Sequence, residues 1–301
     1  MDLIGISEIS RIKECELLTK ARSLEVLSDS KALDEPIAKY VKLSEQYTFN
    51  LTEAYEEKLE PNTKYEIDGD IYETDDNGNI YKKNGELMPN TTYERNGITY
   101  TTDEHGRIVS WSGDSQYDPE NGRDNKSQKE AGGEDRKEGD DGGHLVAREL
   151  GGSSGNENVV AMRDTVNRGD YKKTENEIAE AKKQGKDVQD RGSVIYDGES
   201  SRPSKIERTY TIDGVKKELT VDNVEGSQDL LEKVEGEISE DDYSNIKEEI
   251  ADREEDGHEV SVTSVLKEYD KDGSLVSVRV CITDETTGEK SYSTYSAGGG
   301  N

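Results

Sequence analysis

A twenty-residue segment occurs twice in this chain, and its punctuation admits few folds other than antiparallel hairpins. Residues 61–80 (PNTKYEIDGDIYETDDNGNI) align with residues 89–108 (PNTTYERNGITYTTDEHGRI) at a constant offset of 28, with 11 of 20 positions identical. The identical pairs include Tyr65/Tyr93, Gly69/Gly97, Tyr72/Tyr100, Asp75/Asp103 and Gly78/Gly106. Each copy carries two turn signals between short Tyr/Thr/Ile runs. Such Asn-Gly and Asp-Gly turns need a left-handed backbone and are the signature of β-hairpins or a meander. Two copies are too few to stack as a solenoid.

The composition agrees with thin sheets. Apolar residues make up 29% of the chain and charged residues 36%, and there are 16 Tyr against one Phe and one Trp. Tyrosine can half-bury on a sheet face and keep its hydroxyl wet. Later segments add helices, so the expected class is α+β with antiparallel sheet. Residues 1–59 read as helical, with Ile4, Ile9, Ile12, Leu17 and Leu18 near helical spacing and a break at Pro36. The polar, glycine-rich stretch 113–143 reads as a loop leading into an apolar strand that opens at His144. Asp164 to Lys186 reads as one helix, with Val166, Tyr171 and Ile178 on one face and Gly185 as its stop. Strands follow in SVIYDGE and IERTYTIDGVKKELTV, the second with a hairpin at Asp213-Gly214. Then come a helical stretch around 227–252 and a hairpin, VSVTSVLKEY–DKDGS–LVSVRVCITD, before a frayed SAGGGN end. The expected organisation is 1–59, a helical segment; 60–88, a hairpin copy; 89–220, a central domain; and 221–301, an acidic α+β appendage.

Charge excludes less than it first suggests. The net charge of −30 opposes phosphate binding, which needs Lys and Arg. However, residues 221–290 hold 22 Asp and Glu against 7 Lys and Arg, so half of the excess lies in that region. The two cysteines, Cys15 and Cys281, make neither a disulfide framework nor a zinc site. The opening MDLIGISEISRIKE is not a Sec signal peptide, and no stretch is long enough to span a bilayer. If the protein is exported, the signal is of another kind or lies outside this chain.

Of three histidines, His105 (DEHG) and His258 (DGHE) lie in turn sequences and read as solvated turn residues. His144 follows Asp140-Asp141-Gly142-Gly143, where a glycine pair lets backbone and substrate approach closely. A histidine there can face a groove and take a proton from water. Downstream, NRGDYKKTE sets Asn167 and Glu175 eight residues apart, which on one continuous helix is about 80° around the axis and roughly 12 Å along it. An amide oxygen is a hard, neutral ligand that suits Mg²⁺, an ion that keeps most of its waters. The Asp-rich turns at 75–79 and 270–273 lack the oxygen spacing of calcium loops and read as hairpin turns.

Taken together these segments resemble the DNA/RNA non-specific endonuclease family, with its ββα-metal fold, and most closely its bacterial toxin-type branch. The matching residues begin with Tyr100, Asp103, Gly106-Arg107-Ile108, Gln128, Ala131-Gly132-Gly133 and Asp135-Arg136. They continue through Asp140 to Leu145, Asn158 to Met162, Asn167-Arg168-Gly169, Tyr171-Lys172, Glu175 and Glu177. They end with Tyr196-Asp197-Gly198, Ser201 to Ser204 and Tyr210 to Gly214, so the resemblance covers about residues 89–220.

The resemblance implies a metal-dependent nuclease acting on DNA and RNA with little sequence preference. His144 would be the general base. Asn167 would hold one hydrated Mg²⁺, with Glu175 anchoring its waters. Asp141 would orient the loop around His144. Other branches carry Arg where this chain has Gly142 and Ala179, and this branch usually has an apolar residue where Thr174 stands. Transition-state charge then falls to Arg136, Arg168, Lys172 or Arg123. The toxin-type branch further implies an immunity protein or inhibitor as a partner. Two other readings stay open at this point: a catalytically degenerate, acidic interaction module or nucleic-acid mimic, and an acidic tail that restrains the nuclease.

Overall fold

A computed structural model describes residues 59–298 apart from 68, 115 and 119–123. The helical reading of residues 1–59 falls, except for Leu59, outside the described residues, as do Arg123 and residues 299–301. The chain divides into two compact units, Met1–Met88 and Pro89–Asn301.

In the first unit, β1 (Lys64–Ile67), β2 (Asp70–Thr74), β3 (Ile80–Lys83) and β4 (Glu86–Leu87) form a four-stranded antiparallel sheet. Its small core is Tyr65, Ile67 and Tyr72, with Leu59 and Ile80 packed against them. The second copy of the repeat builds the same device in the second unit. β5 (Thr92–Arg95), β6 (Ile98–Thr102) and the start of β7 (Ile108–Gly113) sit 28 residues after β1, β2 and β3. Tyr65 pairs with Tyr72, and Tyr93 pairs with Tyr100, whose rings stack with centroids 5.3 Å apart.

The shared Asp explains the shared turn. Asp75 Oδ1 accepts from the backbone N–H groups of Asn77 (2.9 Å) and Asn79 (2.7 Å), and Asp103 Oδ1 accepts in the same way from His105 and Arg107, both at 2.9 Å. Asp270 does likewise with Asp272 and Ser274. These carboxylates are thus occupied in closing hairpins.

The second unit is organised by a nine-stranded antiparallel sheet, in the order β15-β14-β13-β12-β11-β10-β7-β6-β5. Its further strands are β10 (Val188–Tyr196), β11 (Pro203–Ile212), β12 (Val215–Asp222), β13 (Val260–Tyr269), β14 (Leu275–Asp284) and β15 (Lys290–Ser296). The Asp213-Gly214 turn joins β11 to β12 with φ of +50° and +82°, as an Asx-Gly hairpin requires. A separate ribbon of β8 (Asp140–His144) and β9 (Val159–Arg163) is followed by α2 (Asp164–Asn167) and α3 (Asp170–Lys183), a strand–strand–helix order. A short helix, α1 (Asn125–Glu130), precedes the ribbon, and α4 (Glu240–Glu255) lies between β12 and β13.

Four expectations change here. The stretch 113–143 is not all loop: Asp124 caps α1 through bonds to the Lys126 and Ser127 N–H groups. The strand expected to open at His144 instead ends there, because β8 runs through the glycine pair and pairs Gly142 with Ala161, Gly143 with Val160 and His144 with Val159. The helix expected from Asp164 to Lys186 is two helices. Gly169 leaves helical geometry (φ −91°, ψ −130°), and a Cβ there would lie 2.4 Å from the Thr165 carbonyl oxygen, so only glycine takes this break without displacement. Asn167 and Glu175 therefore sit on different helices. Finally, the division placed at 220/221 falls inside β12, which pairs along Lys217–Val221 with β13. The acidic region continues the sheet of the central domain.

That region still has apolar packing of its own. Ile246 and Ile250 of α4 join Val262, Val265, Val278, Val280 and Ile282 in one buried cluster. Their strand neighbours Ser264 and Arg279 turn the other way, to bond with Asp170 of α3. The alternation of a strand thus puts α3 and α4 on opposite faces of the sheet.

Candidate active site

The β8–β9 ribbon and the two helices after it enclose one side of a cleft of about 600 Å³. From the β8 end and the turn after it come Gly142, His144, Ala147, Arg148 and Glu149. From the helical segment come Asn167, Arg168, Lys172 and Glu175, and Gln128 of α1 closes a further wall. The three residues that the resemblance placed at the chemistry, His144, Asn167 and Glu175, thus line the same cavity. His105 and His258 lie elsewhere: His105 is in the Asp103 turn, and His258 Nδ1 meets Asp284 Oδ2 at 2.5 Å.

His144 is half-buried at the last position of β8, and the backbone after it is held from two sides. The Tyr171 hydroxyl donates to the Leu145 carbonyl at 2.7 Å. Buried Asn158 accepts from the Val146 N–H at 3.0 Å and donates to the Val146 carbonyl at 2.8 Å, while the Tyr100 hydroxyl bonds its Oδ1 at 3.0 Å. Tyr100, Asn158 and Tyr171 all belong to the matched motif, and this is what they do in the fold.

The glycine pair is explained by what lies against it. A Cβ on Gly142 would stand 2.2 Å from the Gln128 carbonyl oxygen and 2.4 Å from its Cα. A Cβ on Gly143 would stand 2.5 Å from Met162 Sδ and 3.0 Å from Asn167 Oδ1. The arginine that other branches carry at position 142 has no room here, because α1 occupies its place.

Asp141 ties the two helical residues to the ribbon. Its carboxylate accepts from Asn167 Nδ2 at 3.0 Å and from Arg168 Nε and Nη2 at 2.9 and 2.7 Å. Burial opposes ionisation of Asp141, but the Arg168 guanidinium and the Asn167 amide outweigh it and hold the carboxyl below the usual range. With its nitrogen committed to Asp141, Asn167 keeps Oδ1 as the oxygen it can offer to a cation.

Glu175 is 7% exposed, and burial pushes its carboxyl above the ordinary value even though Lys172 and Arg208 pull it down. Lys172 Nζ lies 3.2 Å from Glu175 Oε2 and 3.7 Å from Glu149 Oε1. Beneath them Arg208, fully buried, forms a bidentate pair with Asp190 at 2.9 and 2.6 Å.

The expected transition-state cations separate. Arg168 and Lys172 line the cleft. Arg136 does not: its guanidinium donates to the carbonyls of Gln128, Ala131 and Asp140, and so ties α1 to the ribbon. Arg148 and Glu149, which sequence reasoning passed over, do line it. They sit in a 3-10 turn just after His144, and that adjacency was the only signal available.

Comparison with known proteins agrees with this geometry. Residues 89–214 match the family model described as DNA/RNA non-specific endonuclease, so the resemblance carried by the motifs is shown for that stretch. The chain is also similar to the type VII secretion system protein EssD of Staphylococcus aureus strains USA300 and NCTC 8325. Each is 40% identical over 98 residues, which is 31% of this chain and 16% of the relative. The chain thus covers about a sixth of the length of these relatives. Among the described residues no helix is long and apolar enough to cross a membrane.

Proposed function

We propose that the cleft is the active site of a magnesium-dependent endonuclease that hydrolyses DNA and RNA with little sequence preference. The observation that carries this reading is that His144, Asn167 and Glu175, which come from a strand and two separate helices, line one cavity within the matched stretch.

The donor set fits a single hydrated ion. Asn167 presents one uncommitted amide oxygen, Glu175 and Glu149 supply carboxylates nearby, and no group of three His, Cys, Asp or Glu among the described residues forms a cage. A site with few protein ligands suits Mg²⁺, which gives up its waters reluctantly. When bound, the ion would supply positive charge opposite the scissile phosphate and its leaving 3′ oxygen.

The protein's own residues do the rest. His144 takes a proton from a water that attacks phosphorus in line with the leaving oxygen, a role worth roughly 10²–10⁴-fold in rate. The new bond joins the water oxygen to phosphorus, and the bond to the 3′ oxygen breaks. That oxygen takes up a solvent proton, giving a 5′-phosphate and a 3′-hydroxyl. Asp141 fixes the side chain of Asn167, and Glu175 would help hold the hydrated ion. Arg148, Arg168 and Lys172 face the backbone phosphates. Contacts to phosphate and sugar carry no base information, which supports weak sequence preference.

The likeness to a type VII secretion system protein supports export by a non-Sec route. In this reading the protein is a bacterial toxin or effector, and its producer would need an immunity protein or inhibitor against it. The competing reading, an acidic binding module without catalysis, draws on the charge of residues 221–290. Incubating the full chain with supercoiled plasmid and with RNA separates the two. The nuclease degrades both when magnesium is present and neither when a chelator is added. Intact substrates under both conditions favour the binding module.

A further inference from the structure

The segment that carries Asn167 is held in place from outside the matched family stretch. Asp170, the first residue of α3, is 3% exposed and three residues beyond Asn167. Its Oδ2 accepts from Ser264 Oγ of β13 at 2.6 Å, and its Oδ1 accepts from Arg279 Nη2 of β14 at 3.0 Å. On the other side of Asn167, Lys290 of β15 donates to the Thr165 carbonyl at 2.7 Å. Three strands beyond residue 214 thus reach the turn of chain from Thr165 to Asp170, which contains Asn167.

The turn needs such support because its own backbone is interrupted. Gly169 breaks the helix between Asn167 and Asp170, so α3 does not hold Asn167 by helical continuity. A buried carboxylate must also be paired: Lys173 of α3 stands 3.5 Å from Asp170 Oδ1, and the two strands supply the closer partners. We propose that Ser264 and Arg279, acting through Asp170, are positioning residues for Asn167, so that the functional unit of this protein extends through β15 rather than ending with the family match. Neither residue touches substrate. They set where the Asn167 amide stands relative to His144, as outer partners do for metal ligands elsewhere.

The role of Asn167 as a magnesium ligand rests on the function proposed above, so the test uses one readout that does not depend on it. In the full-length protein, Ser264→Ala and Arg279→Gln are compared with Ser264→Thr, which retains a hydroxyl, and with Lys267→Met. The last removes the Lys267–Glu237 ion pair in the same region without touching the turn. Amide hydrogen exchange is followed over residues 164–172, and magnesium binding is titrated by calorimetry with the metal alone. The expected result is exchange at least tenfold faster in that segment for Ser264→Ala and Arg279→Gln, with magnesium affinity lower by about 10–100-fold. Ser264→Thr behaves like the parent, and Lys267→Met changes neither readout. Exchange over 164–172 that is the same in Ser264→Ala, Arg279→Gln and Lys267→Met overturns the proposal. If the parent binds no magnesium, the proposed function fails while the exchange data still decide the positioning role.

Discussion

The side-chain amide of Asn167 donates to Asp141 Oδ2 at 3.0 Å, across the junction between the ribbon and α2. Arg168 grips the same carboxylate in bidentate fashion. Asp141 therefore fixes which atom of Asn167 is left for a cation. Asp141→Ala frees the amide to rotate and releases Arg168. The expected effect is a rise of about 10–100-fold in the magnesium concentration needed for half-maximal cleavage, read from a metal titration. An unchanged half-saturation point contradicts this role.

Glu175 is held in a place that costs stability. Burial raises its carboxyl above the ordinary value of 4.5. A carboxylate whose folded value is raised stabilises the fold fully below its unfolded value, and that contribution is lost as pH rises through the folded one. At neutral pH Glu175 is therefore a burden that Glu175→Gln removes. The variant should melt higher than the parent at pH 7, and that advantage should shrink as pH falls through the raised folded value and be gone by about 4.5. Its nuclease activity should drop at the same time. Paired melting curves at the two pH values check the sign.

Gly142 tests the packing of α1 on the ribbon. Gly142→Ala forces a methyl to within 2.2 Å of the Gln128 carbonyl oxygen. Displacing the helix should cost about 1–3 kcal/mol, measurable by denaturant unfolding. Gly142→Arg, the residue of other branches, should be worse and should not raise activity. A stable, more active arginine variant contradicts this account of the substitution.

The hairpins were legible because their cause is local. Asp75 and Asp103 each bond two backbone N–H groups within four residues, so the repeat at offset 28 announces both the turns and the strands they close. The meeting of His144 with Asn167 was legible only through motif resemblance, since their approach depends on the pairing of β8 with β9. What escaped depended on non-local contact. The helix break at Gly169 follows from the crowding of Thr165, and α1, which buries none of its residues, shows no apolar period to read. The charge step at residue 221 reports a solvated surface, whereas β12 crosses it and pairs with β13 after an excursion of nearly forty residues.

Removing residues 221–301 should for that reason unfold the central domain rather than release it from restraint. The cut exposes β12 as an open edge and strips Asp170 of Ser264 and Arg279, while every residue lining the cleft lies between 128 and 175. The truncated chain is expected to lose its cooperative melting transition and its nuclease activity. A folded truncation with enhanced cleavage would instead support restraint by the acidic region.

The most direct measurement is cleavage of plasmid and RNA by His144→Ala, with magnesium present and the fold checked by melting temperature. The account predicts a folded protein whose turnover is lower by about 10²–10⁴-fold on both substrates. A folded His144→Ala variant that cuts as fast as the parent contradicts it.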